Sequence, residues 1–178
     1  MQPTLGRIAL LGLALLLGAA AAVSADDIEA NKELVRRMTD LINRRDFVAL
    51  EAVLAPDLRR HSGATPHLTI ESREQFIEFL HQDVAAVPDS HQEIDFMLAE
   101  GDLVAARVIY SGTQTGPWGP FPPSGAHLEL PFIGILRIQD GRIAEIWVEW
   151  NNLWALEQLG HFPPPSAEEG TEAAGTGS

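Results

Sequence analysis

The hydrophobic pattern of this chain changes period once, near residue 90, and that change constrains its fold more than any other feature. Before it, apolar residues recur at helical spacing. Leu34, Val35, Met38, Leu41 and Ile42 make one stripe over residues 27–45, with charge on the opposite side. Phe47, Leu50, Val53 and Leu54 predict a second short helix ended by Pro56, and residues 58–61 read as a brief strand. Ser72-Arg-Glu-Gln75 has the spacing of a capping box, so a third helix opens there. Its inward stripe is Phe76, Ile77, Leu80 and Val84, and Pro88 marks its end. Beyond that point the pattern alternates, giving four strands at residues 91–99, 103–111, 127–138 and 142–150. Glu100-Gly101-Asp102 and Gln139-Asp140-Gly141 are tight turns between consecutive strands, which implies antiparallel hairpins. Helices followed by a meander define an α+β plan, with the helices packed on one face of an antiparallel sheet.

The ends of the chain read differently from its middle. Arg7 precedes an unbroken apolar run over residues 8–23, and Val23-Ser-Ala25 is a small-residue cleavage signature. Together these predict a signal peptide over residues 1–25, cut after Ala25, and a periplasmic or secreted product. No stop-transfer segment follows, so no stable membrane insertion is expected after cleavage. Residues 161–178 are mostly Pro, Gly, Glu and small residues, with too little apolar content to offset the entropy of ordering. They predict a disordered tail, which leaves residues 27–160 as one folded domain.

Composition narrows the function. The net charge is −13, and losing the leader removes Arg7 and no acid, so nucleic acid and anionic lipid are poor partners. Histidines stand at 61, 67, 81, 91, 127 and 161 without metal-ligand spacing, and there is no Cys, so no metal site is expected. A nucleophile elbow, a P-loop and a G-x-G-x-x-G are all missing, so the sequence points to no cofactor.

The last strand carries the chemistry that can be read. Period-two alternation puts Ile143, Glu145, Trp147, Glu149 and Asn151 on one face, and Ala144, Ile146, Val148 and Trp150 on the other. The first face mixes large apolar bodies with polar ends, as a small-molecule cavity does, and is expected to line one. An ordinary strand with solvated glutamates is the competing reading.

Here the chain resembles a family. Trp147-Val-Glu-Trp-Asn-Asn-Leu153, followed by Gln158-Leu-Gly160, is similar to the W-x-E-W-D-N-L and Q-L-G of SnoaL-like ester cyclases, the polyketide cyclases of the NTF2-like superfamily. Ala99-Glu-Gly-Asp-Leu-Val-Ala-Ala-Arg107, Ser111-Gly-Thr-Gln-Thr-Gly116 and Pro123-Ser-Gly125 match further motifs in the family's order, over roughly residues 31–160. The resemblance implies a cone-shaped fold around a cavity, and cofactor-free acid/base chemistry on a carbonyl compound. It also departs where that chemistry belongs. Asn151 stands where the family typically carries the Asp that moves the proton, and Gln114 where many members have a His. An amide does not titrate near neutral pH.

The candidate catalytic residues are therefore Asn151, as an oxyanion donor, with Glu149 or His61 as base. His61 could equally be a surface residue, and Glu149 could be solvated or paired with Arg107. Arg107 is a candidate partner for a ligand carboxylate or enolate, or a structural ion pair. Trp147 and Phe132 are expected around Asn151. Gln114, Trp118 and Phe121 lie in a Pro- and Gly-rich loop that is either a lid or a rigid crossover. Three readings follow: an exported cyclase or isomerase acting on a small apolar or carbonyl-bearing molecule, a non-catalytic binder of such a molecule, or an accessory or oligomer-forming domain with a filled cavity. A strand apolar on both faces at residues 103–111, and another at 142–150, predict a homodimer.

Overall fold

A computed structural model describes residues 24–163. Helix α1 (Ala25–Asn43) is opened by Ser24, whose hydroxyl accepts from Asp27 N while the Asp27 carboxylate accepts from Ser24 N. Val35, Met38, Leu41 and Ile42 form its buried stripe, as the spacing predicts. Helix α2 (Phe47–Leu50) is a single turn, shorter than expected. The chain enters β1 (Leu54–His61) already at Leu54, and Pro56 lies inside the strand, not at a helix end. Regular pairing lapses between Leu54 and Arg59, so the missing proline N–H breaks no ladder bond there. Helix α3 (Arg73–Ala86) begins where expected, with Ser72 Oγ accepting from Gln75 N.

Strands β2 (His91–Glu100), β3 (Leu103–Thr113), β4 (His127–Gln139) and β5 (Arg142–Trp150) form the antiparallel meander, and α4 (Asn152–Gln158) follows. The sheet order is β1-β5-β4-β3-β2, so β1 joins at an edge, parallel to β5. The β4–β5 turn puts both Asp140 and Gly141 at positive φ, the conformation a two-residue hairpin with native twist requires.

Helices α1 and α3 pack on the inner face, against Val104, Ala106, Val108, Leu136 and Ile146. A second cluster under α4 joins Ala155 and Leu159 to Tyr110, Leu128 and Leu130. Among the described residues no helix covers the outer face. Phe96 (52 % exposed), Leu98 (67 %), Ile133 (46 %) and Ile135 (39 %) lie open there. The ladder places them side by side: Leu98 opposite Ala105, Ala105 opposite Ile135, Ile135 opposite Trp147.

The expected leader lies almost wholly outside the described residues, as does the tail from residue 164 onward. His161, expected to begin that tail, is packed: its ring stacks on Phe121 and its Nε2–H donates to Gln114 Oε1 at 2.9 Å.

Candidate active site

Between the helices and the inner sheet face lies a largely apolar cavity of about 160 Å³. The pairing of Phe132 with Trp150, Gly134 with Val148 and Leu136 with Ile146 fixes which side of β5 faces it. Those residues line the cavity, and Trp147, Glu149 and Asn151 do not. The expected face of β5 is thus corrected. The wholly apolar face turns inward, because helices cover that side, and the mixed face turns outward from Glu145 onward, while Ile143, beyond a shift in the β4–β5 register, is buried in the core.

Each expected residue has a definite place. Phe132 and Trp118 line the cavity. Trp147 is on the outer face, stacked with His61 and beneath the Arg137 guanidinium. His61 is exposed there and bonds Glu145 Oε1 at 2.8 Å, so it does not reach the cavity. Glu149 is exposed, and its two oxygens accept from the backbone N–H groups of Gly63 and Ala64. Arg107 is also on the outer face, paired with Asp95, which is the structural ion-pair role but with a different partner. Asn151 caps α4, its Oδ1 accepting from Trp154 N at 3.1 Å, with the side chain exposed.

Gln114 is fully buried, but as a loop brace. Its Nε2 donates to Gly116 O at 3.1 Å and Pro122 O at 3.0 Å, and its Oε1 takes the His161 proton donor. Phe121 serves the same loop, bonded through its backbone to Trp118 and stacked on His161. Residues 115 and 116 also donate to Ala86 O. These ties make the loop a braced crossover that sends Trp118 into the cavity wall.

The polar groups that do line the cavity were not among those expected. Asp83, on α3, is recessed into the wall. The Tyr110 hydroxyl, from β3, lies 3.0 and 3.2 Å from its two carboxylate oxygens. Burial pushes the Asp83 carboxyl up to about 6, against the opposing pull of the Tyr110 hydrogen bond and the Arg45 charge. Tyr110 is itself pushed upward by burial and by the neighbouring Asp83, so it stays protonated and donates. Arg60, on β1, is 7 % exposed, and its guanidinium lies 4.7 Å from the Phe79 ring centre and 5.7 Å from that of Trp150.

Both signals were present in the sequence. Leu58 and Arg60 are two apart in one strand, so burying Leu58 carries Arg60 inward. Asp83 follows Phe76 and Leu80 at seven and three, on the inner face of α3.

Among the described residues no group of three or more His, Cys, Asp or Glu could hold a metal ion. No helix among them is long and apolar enough to cross a membrane.

An open curved sheet with helices in its concavity, closed over a cavity, defines an NTF2-like α+β cone. The chain belongs to the SnoaL-like polyketide cyclase family, whose model matches residues 32–159. Solved structures agree. TsrD from Streptomyces laurentii is 28% identical, with TM-score 0.67, covering 74% of this chain and 96% of that one. IdmH from Streptomyces antibioticus, named as a candidate polyketide cyclase, is 29% identical, with TM-score 0.66 and coverage of 73% and 98%. A protein with a ketosteroid isomerase-like fold from Catenulispora acidiphila, in complex with trimethylamine, is 21% identical, with TM-score 0.63 and coverage of 72% and 92%. Among curated proteins none matches the chain.

Proposed function

We propose that this protein takes a small, mainly apolar carbonyl compound into the cone and acts on it as a cofactor-free acid/base catalyst, a cyclase or isomerase, with Asp83 as the base. The observation that carries this reading is the Asp83–Tyr110 pair on the wall of an apolar cavity. A base with a pKa near 6 is ionised at neutral pH yet still basic enough to take a proton from a carbon acid. Tyr110 keeps the carboxylate oriented and damps its rise in pKa. Asn151 has no part in this scheme, because it is engaged outside the cavity.

Solvent deuterium exchange at the carbon beside the carbonyl of acetophenone tests the reading. The wild type should exchange, and Asp83→Asn should lose about 10²- to 10⁴-fold of the rate. A second reading, a non-catalytic binder, has its own support. Both Asp83 oxygens lie within reach of Tyr110, so the carboxylate is held in place. A wild type that binds the probe without exchange favours the binder.

The same proposal includes export and dimerisation. The leader over residues 1–25 carries the export expectation, and N-terminal sequencing of the exported chain should begin at Asp26. The exposed apolar outer face of the sheet supports a face-to-face homodimer.

A further inference from the structure

Buried guanidinium groups are costly unless an anion faces them. Arg60 has five N–H donors, and one hydrogen bond engages them, from Nη1 to Thr65 Oγ1 at 3.1 Å. Among the described residues no carboxylate lies within 4.0 Å of it. Glu149 is the acid whose charge it feels, but the oxygens of Glu149 are committed to the Gly63 and Ala64 amides. The aromatic rings of Phe79 and Trp150 contact the guanidinium without accepting its in-plane N–H groups. Burial pushes Arg60 down to about 10, so it remains a cation at neutral pH.

A second donor is unpartnered. Trp150 Nε1 is buried and meets no acceptor among the described residues. Arg60 and Trp150 both line the cavity, and much of the remaining wall is apolar. We infer that Arg60, aided by the Trp150 indole N–H, receives the carboxylate of a small ring-bearing acid whose apolar body fills the cavity. The planar fork of an arginine matches a carboxylate, and an amine head would meet repulsion there. A cavity of about 160 Å³ is comparable to one that takes a single benzene ring. This inference rests on the cavity being the ligand site, as proposed above, and it names the class of ligand.

Benzoate and benzamide test it, because neither has a hydrogen on the carbon next to its carbonyl, so their binding is independent of proton abstraction. Titration of the folded chain by NMR should show benzoate binding roughly 10- to 100-fold more tightly than benzamide, as a charge-assisted hydrogen-bond pair gives. Arg60→Met keeps the apolar stem and should reduce that preference to within about twofold. It should also melt higher than the wild type without ligand, since a buried unpaired charge is gone. Trp150→Phe keeps the ring and removes the N–H, so the preference for benzoate should fall severalfold. Equal affinities in the wild type, or a preference that survives Arg60→Met, overturn the inference. Should Arg60→Met fail to fold, an undiminished preference in Trp150→Phe removes the indole N–H from the site, and equal wild-type affinities still overturn the whole. A benzoate preference in a wild type that exchanges no deuterium leaves the anion site standing while the catalytic reading falls.

Discussion

The Tyr110 hydroxyl bridges from β3 to α3, 3.0 Å from Asp83 Oδ1 and 3.2 Å from Oδ2. This contact ties the sheet to the helix that covers it, and it sets the only carboxylate among the described residues that line the cavity. It has a consequence for stability. The folded chain holds the Asp83 proton up to about pH 6, whereas an unfolded chain releases it near 3.8. Between those values the folded state binds more protons, so the contribution of Asp83 to stability falls as pH rises through that window and is flat above it. Asp83→Asn cannot ionise but can still accept from Tyr110. Urea unfolding from pH 4 to 8 should show the variant gaining about 1–3 kcal/mol on the wild type as pH rises, with no further change above pH 7. A constant difference across that range would mean Asp83 is not desolvated.

Tyr110→Phe removes the donor. The carboxylate then loses a bond that favours its ionised form, so the midpoint of any Asp83-dependent activity should move upward from pH 6. The variant should also lose about 1–3 kcal/mol of stability at neutral pH, from leaving a recessed carboxylate less satisfied. An unmoved midpoint would separate Tyr110 from the titration of Asp83.

Asn151→Asp installs the residue that the resemblance implies at this position, but not in a cavity. The carboxylate would still cap α4 by accepting from Trp154 N, and an acid at a helix N-terminus is favourable. Stability should therefore change little, and no exchange activity should appear. Asn151→Ala should cost about 1 kcal/mol through the lost cap. New exchange activity in Asn151→Asp would show that this side chain reaches the ligand.

Much of the fold was legible in the chain. The helical stripe of α1, the Ser72 cap and all four meander strands lie within a few residues of expectation, because each has one face that must be buried. The parallel seat of β1 was not legible, since pairing across 80 or more residues leaves no local trace. The site was harder. A polar-and-aromatic face looks like a pocket, but Trp147 can be shielded from water equally well by His61 and Arg137 on an outer surface. Arg60 and Asp83 look like solvated charges beside Arg59 and Gln82, and only their spacing from Leu58 and Leu80 reveals where they point.

Leu98, Ile133 and Ile135 form a contiguous apolar surface, with Arg107 beside it paired to Asp95. If this surface is shared between two copies, light scattering of the chain from Asp26 onward should give about twice the monomer mass. Ile135→Lys would place a like charge opposite its own copy and should yield monomers. A wild type that is already monomeric at micromolar concentration would leave this face without a partner.

The pH profile of deuterium exchange into acetophenone tests the central claim most directly. If Asp83 is the base, the wild-type rate should rise tenfold per pH unit below pH 6, bend near 6 and level off above it. Asp83→Asn should be slower by about 10²-fold or more at pH 7, with that bend gone. A wild-type profile without a bend near 6, or an Asp83→Asn variant exchanging at the wild-type rate, would contradict the account.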